Sequence, residues 1–382
     1  MDFELSPEHQ ALADLCRSFA QREITPYAGE WAEKEFFPSH VFRQMGDLGL
    51  MGMLVDERYG GSAAGYVAFV AGMQEIGAAD QSVGAAWNAH STIGSLTLAA
   101  YGTEEQKERW LRPLAEGRAI GAFGLTEADA GSDAAGIRTR AGRDGSGWVI
   151  NGSKMFISNA GTDMSLGVTL LATTGQNEDG TTRFACFFVP EGTPGYRKGE
   201  RLKKLGWHSL DTRELVFEEC HVAADHLIGA DGQGLRQFLS VLDAGRISVA
   251  ALSLSLARAA FDLALAHARG RNQFGRPISR FQAVQHKLAD MATEVETARW
   301  LVYRAAWLAD TNRPFRKEAA MAKLYASEVA NRVASAAVQV HGGYGYIRET
   351  PISRFYADAK ILEIGEGTSE IQRNVIAKEI GC

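Results

Sequence analysis

Cysteine is scarce in this chain: four residues among 382, at Cys16, Cys186, Cys220 and Cys382, with no Cys-x-x-Cys pair. A disulfide framework, a zinc knuckle and a thioredoxin-like centre are therefore not encoded, and the simple expectation is a reduced, cytoplasmic setting. No uninterrupted apolar run reaches the roughly 20 residues of a membrane-crossing helix, so no membrane span is expected. The opening Met1, Asp2, Phe3 and Glu4 has the wrong charge for the basic start of a signal peptide. Positive charge is in deficit, with 40 Lys and Arg against 46 Asp and Glu and a net charge of -6, which argues against nucleic acid as a partner. Also missing are a Gly-x-Gly-x-x-Gly turn after a strand, a P-loop, a Gly-x-Ser-x-Gly elbow and His-Glu-x-x-His. Rossmann, kinase, serine hydrolase and zinc protease readings lose their footing with them.

What is present is globular: 46% of residues are hydrophobic and 23% charged. The length calls for two or three packed modules. Ser6 followed by Pro7 predicts an N-cap and first helical position, with Leu12, Leu15, Cys16 and Phe19 at helical spacing behind them and Pro26 ending the helix. Thr103 with Gln106 predicts a capping box, and the region to residue 118 reads as helical. Between 119 and 228 the period shortens to β-rich runs at Trp148–Ile150, Gly167–Leu171 and Phe184–Val189. Turn signals at Asp144-Gly145, Asn151-Gly152 and Asp179-Gly180 divide them, as in an antiparallel sheet or small barrel. From 229 to 382 long helices return. Phe281, Val284, Leu288, Met291, Val295, Ala298 and Val302 predict a packed seam, and the stretch Ala319 to Val340 is rich in small residues. The fold class is mainly α with a β insert: 1–118 helical, 119–228 β, 229–382 helical bundle.

Four segments could carry chemistry. Leu125-Thr126-Glu127-Ala128-Asp129-Ala130-Gly131-Ser132-Asp133 offers small residues and free backbone N–H groups to a planar or phosphorylated ligand, or is an ordinary turn. Lys154-Met155-Phe156-Ile157-Ser158-Asn159 places an aromatic and a hydroxyl on one side of an extended strand, although Phe156 taken alone reads as core. Gln339-Val340-His341-Gly342-Gly343 ends a helix on glycines, where backbone could approach phosphates or simply form a C-cap. Glu366 lies between Gly365 and Gly367, just ahead of a Thr368 or Ser369 cap, as a free carboxylate or as a group serving the helix N-terminus.

These four segments, in this order, together with Arg271-Asn272-Gln273-Phe274-Gly275-Arg276-Pro277 and the following Phe281-Gln282, resemble the acyl-CoA dehydrogenase family along essentially the whole chain. The resemblance implies a middle β-barrel, a C-terminal four-helix bundle, non-covalent FAD between them, and a homotetramer built as a dimer of dimers. By matching position it implies Phe123, Leu125, Thr126 and Ser132 at the flavin ring, with Phe156 and Ser158 on its other flank. Arg271, Phe274, Gln282, Gln339, Gly342 and Gly343 would reach the cofactor from a neighbouring subunit, and Thr368 and Glu370 would complete its shell. Ser132, Asp243, Arg246 and Gly367 would contact an acyl-CoA substrate, although Asp243 and Arg246, one helical turn apart, could merely pair with each other, and an electron-transfer flavoprotein would take the electrons.

Glu366 matches the base of the short- and medium-chain members. Other members carry their glutamate where this chain has Gly245, which cannot act as a base. The implied reaction is an anti elimination in which Glu366 takes the Cα proton and flavin N5 takes hydride from Cβ. The thioester oxygen would be polarised by the Glu366 backbone N–H and a flavin ribityl hydroxyl. Phe156 stands where many members have tryptophan, and Gly365 where a bulkier residue is common. Trp87, Asn88 and His90 lie in a segment that could face the acyl chain, with helix packing as the expected role. A same-fold oxidase or nitroalkane-type enzyme, a carrier-protein acyl dehydrogenase, a reductase running the reaction in reverse and a non-catalytic helical scaffold are the competing readings.

Overall fold

The computed structural model describes residues 4–382; Met1 to Phe3, on which the expectation about a signal peptide partly rested, lie outside them. The first region is helical: α1 (Pro7–Glu23), α2 (Ala28–Glu33), α3 (Ser39–Asp47), α4 (Gly65–Ala79), α5 (Gln81–Ala89), α6 (Leu96–Tyr101), α7 (Glu104–Gln106) and α8 (Arg112–Ala115). Both sequence-predicted starts are present. The Ser6 hydroxyl accepts from the His9 N–H at 3.2 Å, and Thr103 with Gln106 forms the reciprocal capping box. A π-helical turn, His90–Gly94, follows α5 directly.

The middle region is one sheet of eight strands: β1 (Ile120–Gly124), β2 (Arg140–Asp144), β3 (Gly147–Ser158), β4 (Ser165–Gln176), β5 (Thr182–Pro190), β6 (Tyr196–Arg201), β7 (Thr212–Ala223) and β8 (Leu227–Ile228). Its order is β6-β7-β3-β2-β4-β5-β8, with β1 pairing β4. No pairing joins the two ends among the described residues, so the ladder is an open sheet and not the closed barrel expected. It is also not purely antiparallel, since β1 runs parallel to β4. Asn151-Gly152 is no turn: β3 continues through it with a register shift against β7, and the Asn151 side chain accepts from the Glu219 N–H at 2.9 Å. An extra residue absorbed as a bulge uses the same Asn-Gly flexibility that a turn would.

The last region holds α9 (Gly234–Gly270), a small hairpin of β9 (Asn272–Gln273) and β10 (Arg276–Pro277), then α10 (Gln282–Asp310), α11 (Arg316–His341), α12 (Pro351–Ala359) and α13 (Ser369–Glu379). The predicted seam packs through Leu288, Met291, Ala298 and Val302, which are buried, while Phe281, Val284 and Val295 are half-buried at its edge. Ten buried alanines and valines on α11 let it lie close along α9. By length and mean hydropathy α9 could cross a bilayer, but most of that apolar window is buried inside the protein. One apolar core joins α1, α4 and α5 to α9, α10 and α11, so the N-terminal helices and the bundle are welded together.

Candidate active site

The chain from Lys360 to Thr368 passes from a 3-10 turn (Lys360–Glu363) into α13 and presents Glu366 at its turning point. Glu366 has φ +52° and Gly367 has φ +92°, both left-handed, and a non-glycine residue held there is strained backbone of the kind that clusters at functional sites. Two buried donors pin the turn from beneath. Lys323 Nζ, on α11 and fully buried, donates to the Gly367 carbonyl at 2.7 Å, and Gln372 Nε2 donates to the same oxygen at 2.9 Å. Thr368 caps α13 by accepting from the Ile371 N–H at 3.3 Å, so the helix start does not need Glu366, and Glu370 lies exposed in the first turn.

Residue 366 is half-buried as a whole, but its carboxyl oxygen Oε2 is sealed from solvent and has no hydrogen-bond partner among the described residues. Oε1 accepts from Asn88 Nδ2 at 2.8 Å. Burial pushes the Glu366 carboxyl up to about 7, against the opposing pull of the Asn88 hydrogen bond and of the Lys323 and Arg246 charges. Gly245 on α9 faces it closely: a Cβ built there would lie 2.1 Å from Oε2, so the space that the carboxyl occupies exists only because position 245 has no side chain. Next to Gly245 on the same helix, buried Arg246 hydrogen-bonds Asp243 one turn back, and Arg316 approaches Asp243 at 3.5 Å. Asp243 and Arg316 also line a groove of about 830 Å³ with Ala135, Arg236 and Ser240. The structure thus brings Glu366, Gly367, Arg246 and Asp243 to one place.

The loop after β1 is fastened from inside the sheet. Glu127 accepts from the Arg138 and Thr139 N–H groups at 2.6 and 3.0 Å and from Lys154 Nζ at 2.8 Å. Lys154, fully buried, donates also to the Leu125 carbonyl at 3.1 Å, and Met155 N–H donates to the Thr126 carbonyl at 2.8 Å. Leu125 and Thr126 are half-buried and Ser132 is exposed, whereas the Phe123 ring is buried and stacked on Phe238 with centroids 4.2 Å apart. Phe156 departs from its sequence reading in two ways. It is 64% exposed and not core, and with φ +63° it sits in an irregularity of β3 that breaks the simple alternation expected to put it beside Ser158, which is half-buried.

The remaining predicted cofactor residues form a separate exposed patch. Phe274 is 93% exposed at φ +51°, Gln282 and Gln339 are exposed, and Arg271 lies over the Tyr344 ring at 5.7 Å. Gly342 has φ +62°, and nothing lies within 4 Å of a Cβ built on it or on Gly343. Gln339 is sixteen residues beyond Lys323 on α11 and Arg271 is twenty-five beyond Arg246 at the end of α9, which places them roughly 24 Å and 37 Å along those helices. Within one chain this patch does not reach Glu366.

Sequence reasoning missed the contact of Asn88 with Glu366, Lys323 altogether and the internal role of Lys154. The available signal was a single polar or charged residue in an otherwise small and apolar helical run, as in Val83-Gly84-Ala85-Ala86-Trp87-Asn88 and Ala319-Ala320-Met321-Ala322-Lys323. Trp87 and His90 do pack: Trp87 Nε1 donates to the Leu50 carbonyl at 3.0 Å, and His90 Nδ1 accepts from the Gly121 N–H at 3.0 Å, with burial holding that imidazole down to about 4.

An exposed aromatic on strained backbone two residues from a hydroxyl, and a second exposed aromatic beside an arginine and two open glycines, are surfaces that fit a large planar, phosphorylated group such as FAD. Comparison with known proteins agrees. The chain matches the acyl-CoA dehydrogenase N-terminal domain over residues 6–118, the middle domain over 122–220 and the C-terminal domain over 232–381. It is 47% identical over 380 residues to a probable acyl-CoA dehydrogenase of Bacillus subtilis, covering 100% of each chain. It is 40% identical over 374 residues to the mitochondrial short-chain specific acyl-CoA dehydrogenase of Mus musculus, covering 98% of this chain and 90% of that one. Among solved structures, butyryl-CoA dehydrogenase from Megasphaera elsdenii superposes with a TM-score of 0.96 at 38% identity over 100% of both chains. An acyl-CoA dehydrogenase complexed with FAD from Bacillus anthracis gives 0.93 at 31% identity, over 99% of this chain and 67% of that one. Three successive domain matches and full-length identity of this order place the chain in the acyl-CoA dehydrogenase family.

Proposed function

We propose that this protein is an FAD-dependent dehydrogenase of short acyl-CoA thioesters, with Glu366 as the base that removes the Cα proton. The observation that carries the reading is the Glu366 carboxyl: sealed from water, one oxygen held and the other without a partner, and pushed up to about 7. A carboxylate in water is too weak a base for an unactivated Cα–H, whereas one that titrates near neutrality takes the proton with far less cost. FAD supplies the hydride acceptor when bound. Leu125, Thr126, Ser132, Phe156 and Ser158 would hold its ring, and Thr368 and Glu370 lie beside the turn that carries the base. The Glu366 N–H is the protein's candidate donor to the thioester oxygen, and the strained turn fixes its direction. Asp243, Arg246 and Gly367 would flank the substrate.

The exposed patch of Arg271, Phe274, Gln282, Gln339, Gly342 and Gly343 would serve the cofactor of a neighbouring copy in a homotetramer, since it is too far along its own helices to serve Glu366. An electron-transfer flavoprotein would accept the electrons. A short chain is favoured because this chain's relatives include a short-chain specific acyl-CoA dehydrogenase and its fold is shared with a butyryl-CoA dehydrogenase. The test is a series of saturated acyl-CoA thioesters of increasing length, assayed with an artificial electron acceptor: turnover greatest at butyryl-CoA and its near neighbours supports the reading. Turnover only with an acyl group on a carrier protein, or only with oxygen as acceptor, rejects it.

A further inference from the structure

Asn88 lies on α5, 278 residues from Glu366, and is buried among small and apolar neighbours. A primary amide in such a place costs free energy unless its polar atoms are used. Its Nδ2–H donates to Glu366 Oε1 at 2.8 Å, while its Oδ1 has no hydrogen-bond partner among the described residues. The helix around it is tightly held. The Trp87 indole is anchored to the Leu50 carbonyl, Asn159 Nδ2 donates to the Ala86 carbonyl at 3.0 Å, and the Thr92 hydroxyl in the π-helical turn donates to the Asn88 carbonyl at 2.8 Å. A π-helical turn following a helix at such a point is itself a feature of functional sites.

We propose that Asn88 is a positioning residue for the base: its amide holds Oε1 of Glu366 and so reserves Oε2 as the oxygen that receives the Cα proton. The inference rests on the assignment of Glu366 as base. The two carboxyl oxygens are inequivalent, because Oε1 is engaged and Oε2 lies, without a partner, in the space that Gly245 leaves open. In the step itself the Cα proton would pass to Oε2 while the C–H electron pair forms the Cα=Cβ bond, and bound FAD would supply the acceptor for the hydride that leaves Cβ. The other charges facing the carboxyl are Lys323 from α11 and Arg246 from α9, the latter paired with Asp243; the one direct hydrogen bond to the carboxyl among the described residues comes from Asn88. A donor to the ionised form favours that form, so losing it moves the titration upward.

The test uses FAD-loaded Asn88→Leu and Asn88→Asp with butyryl-CoA and an artificial acceptor, beside Glu366→Gln. Asn88→Leu keeps the approximate size and removes the donor. Its kcat should fall roughly 10-fold or more with a much smaller change in KM, and the midpoint of its kcat–pH profile should rise by about one unit. Asn88→Asp keeps the shape and sets a second carboxyl against Oε1, so its midpoint should rise further; it decides the matter if Asn88→Leu fails to hold FAD. Wild-type kcat and midpoint in these variants, with Glu366→Gln inactive, overturn the role of Asn88 alone. Turnover by Glu366→Gln overturns the base assignment beneath it.

Discussion

At the scale of single residues, the burial that readies Glu366 also burdens the fold. Its carboxyl is raised from 4.5 to about 7, so the folded protein binds that proton more tightly than the unfolded chain does. The corresponding stability is fully present below 4.5 and is lost as pH rises through about 7. Glu366→Gln, which does not titrate, should therefore melt above wild type near pH 8, with the gap narrowing toward about pH 5, as thermal denaturation at both values would read. Gly245→Ala should act in the opposite sense: its Cβ, 2.1 Å from Oε2, must displace the carboxyl, and turnover should fall on the order of 10²-fold while FAD remains bound. The glycines around Glu366 marked a turn in the sequence, open alike to a free carboxylate and to a role at the helix start, and the family resemblance supplied its reading as base. The Asn88 contact and the exposure of Phe156 were not legible, since periodicity reports which face a residue lies on but not which distant side chain it meets, and one left-handed residue is enough to undo the alternation.

At the scale of elements, local chemistry was readable and pairing was not. The Ser6 cap and the Thr103 box depend on residues three apart, and both stand as read. Asn151-Gly152 fits a turn as well as a bulge, and only the partner strand β7 decides between them. The loop after β1 owes its shape to a partner 27 residues away, the buried Lys154 beneath Glu127. Burial lowers the Lys154 ammonium to about 8 against the counter-pull of Glu127, and two strands and a loop meet at this one cation. Lys154→Met leaves Glu127 buried with two backbone N–H donors but without its opposing charge, and should cost about 3–5 kcal/mol in denaturant unfolding. It should also weaken FAD retention by loosening Leu125 and Thr126, which equilibrium dialysis would detect.

At the scale of the whole molecule, the order helices, sheet, helices followed from the change in hydrophobic period near residues 119 and 229, and the structure has that order. Closure of the sheet did not follow, because a strand's period does not name its neighbours, and β1 joins β4 in parallel from outside the main path. The exposed patch at the ends of α9 and α11 lies too far along those helices to serve Glu366 of the same chain. If a second copy's Arg271 and Phe274 hold the cofactor, diluting the protein below its subunit dissociation constant should release FAD in step with dissociation. Arg271→Ala should weaken FAD binding in the intact assembly, and sedimentation velocity followed at the flavin absorbance would show both.

The most direct measurement is rapid-mixing observation of flavin reduction by butyryl-CoA in wild type and Glu366→Gln, each loaded with FAD. The account predicts that wild type bleaches at a rate that climbs as pH passes through about 7, while Glu366→Gln binds the same thioester and keeps its oxidised spectrum. Bleaching of Glu366→Gln at the wild-type rate would contradict it.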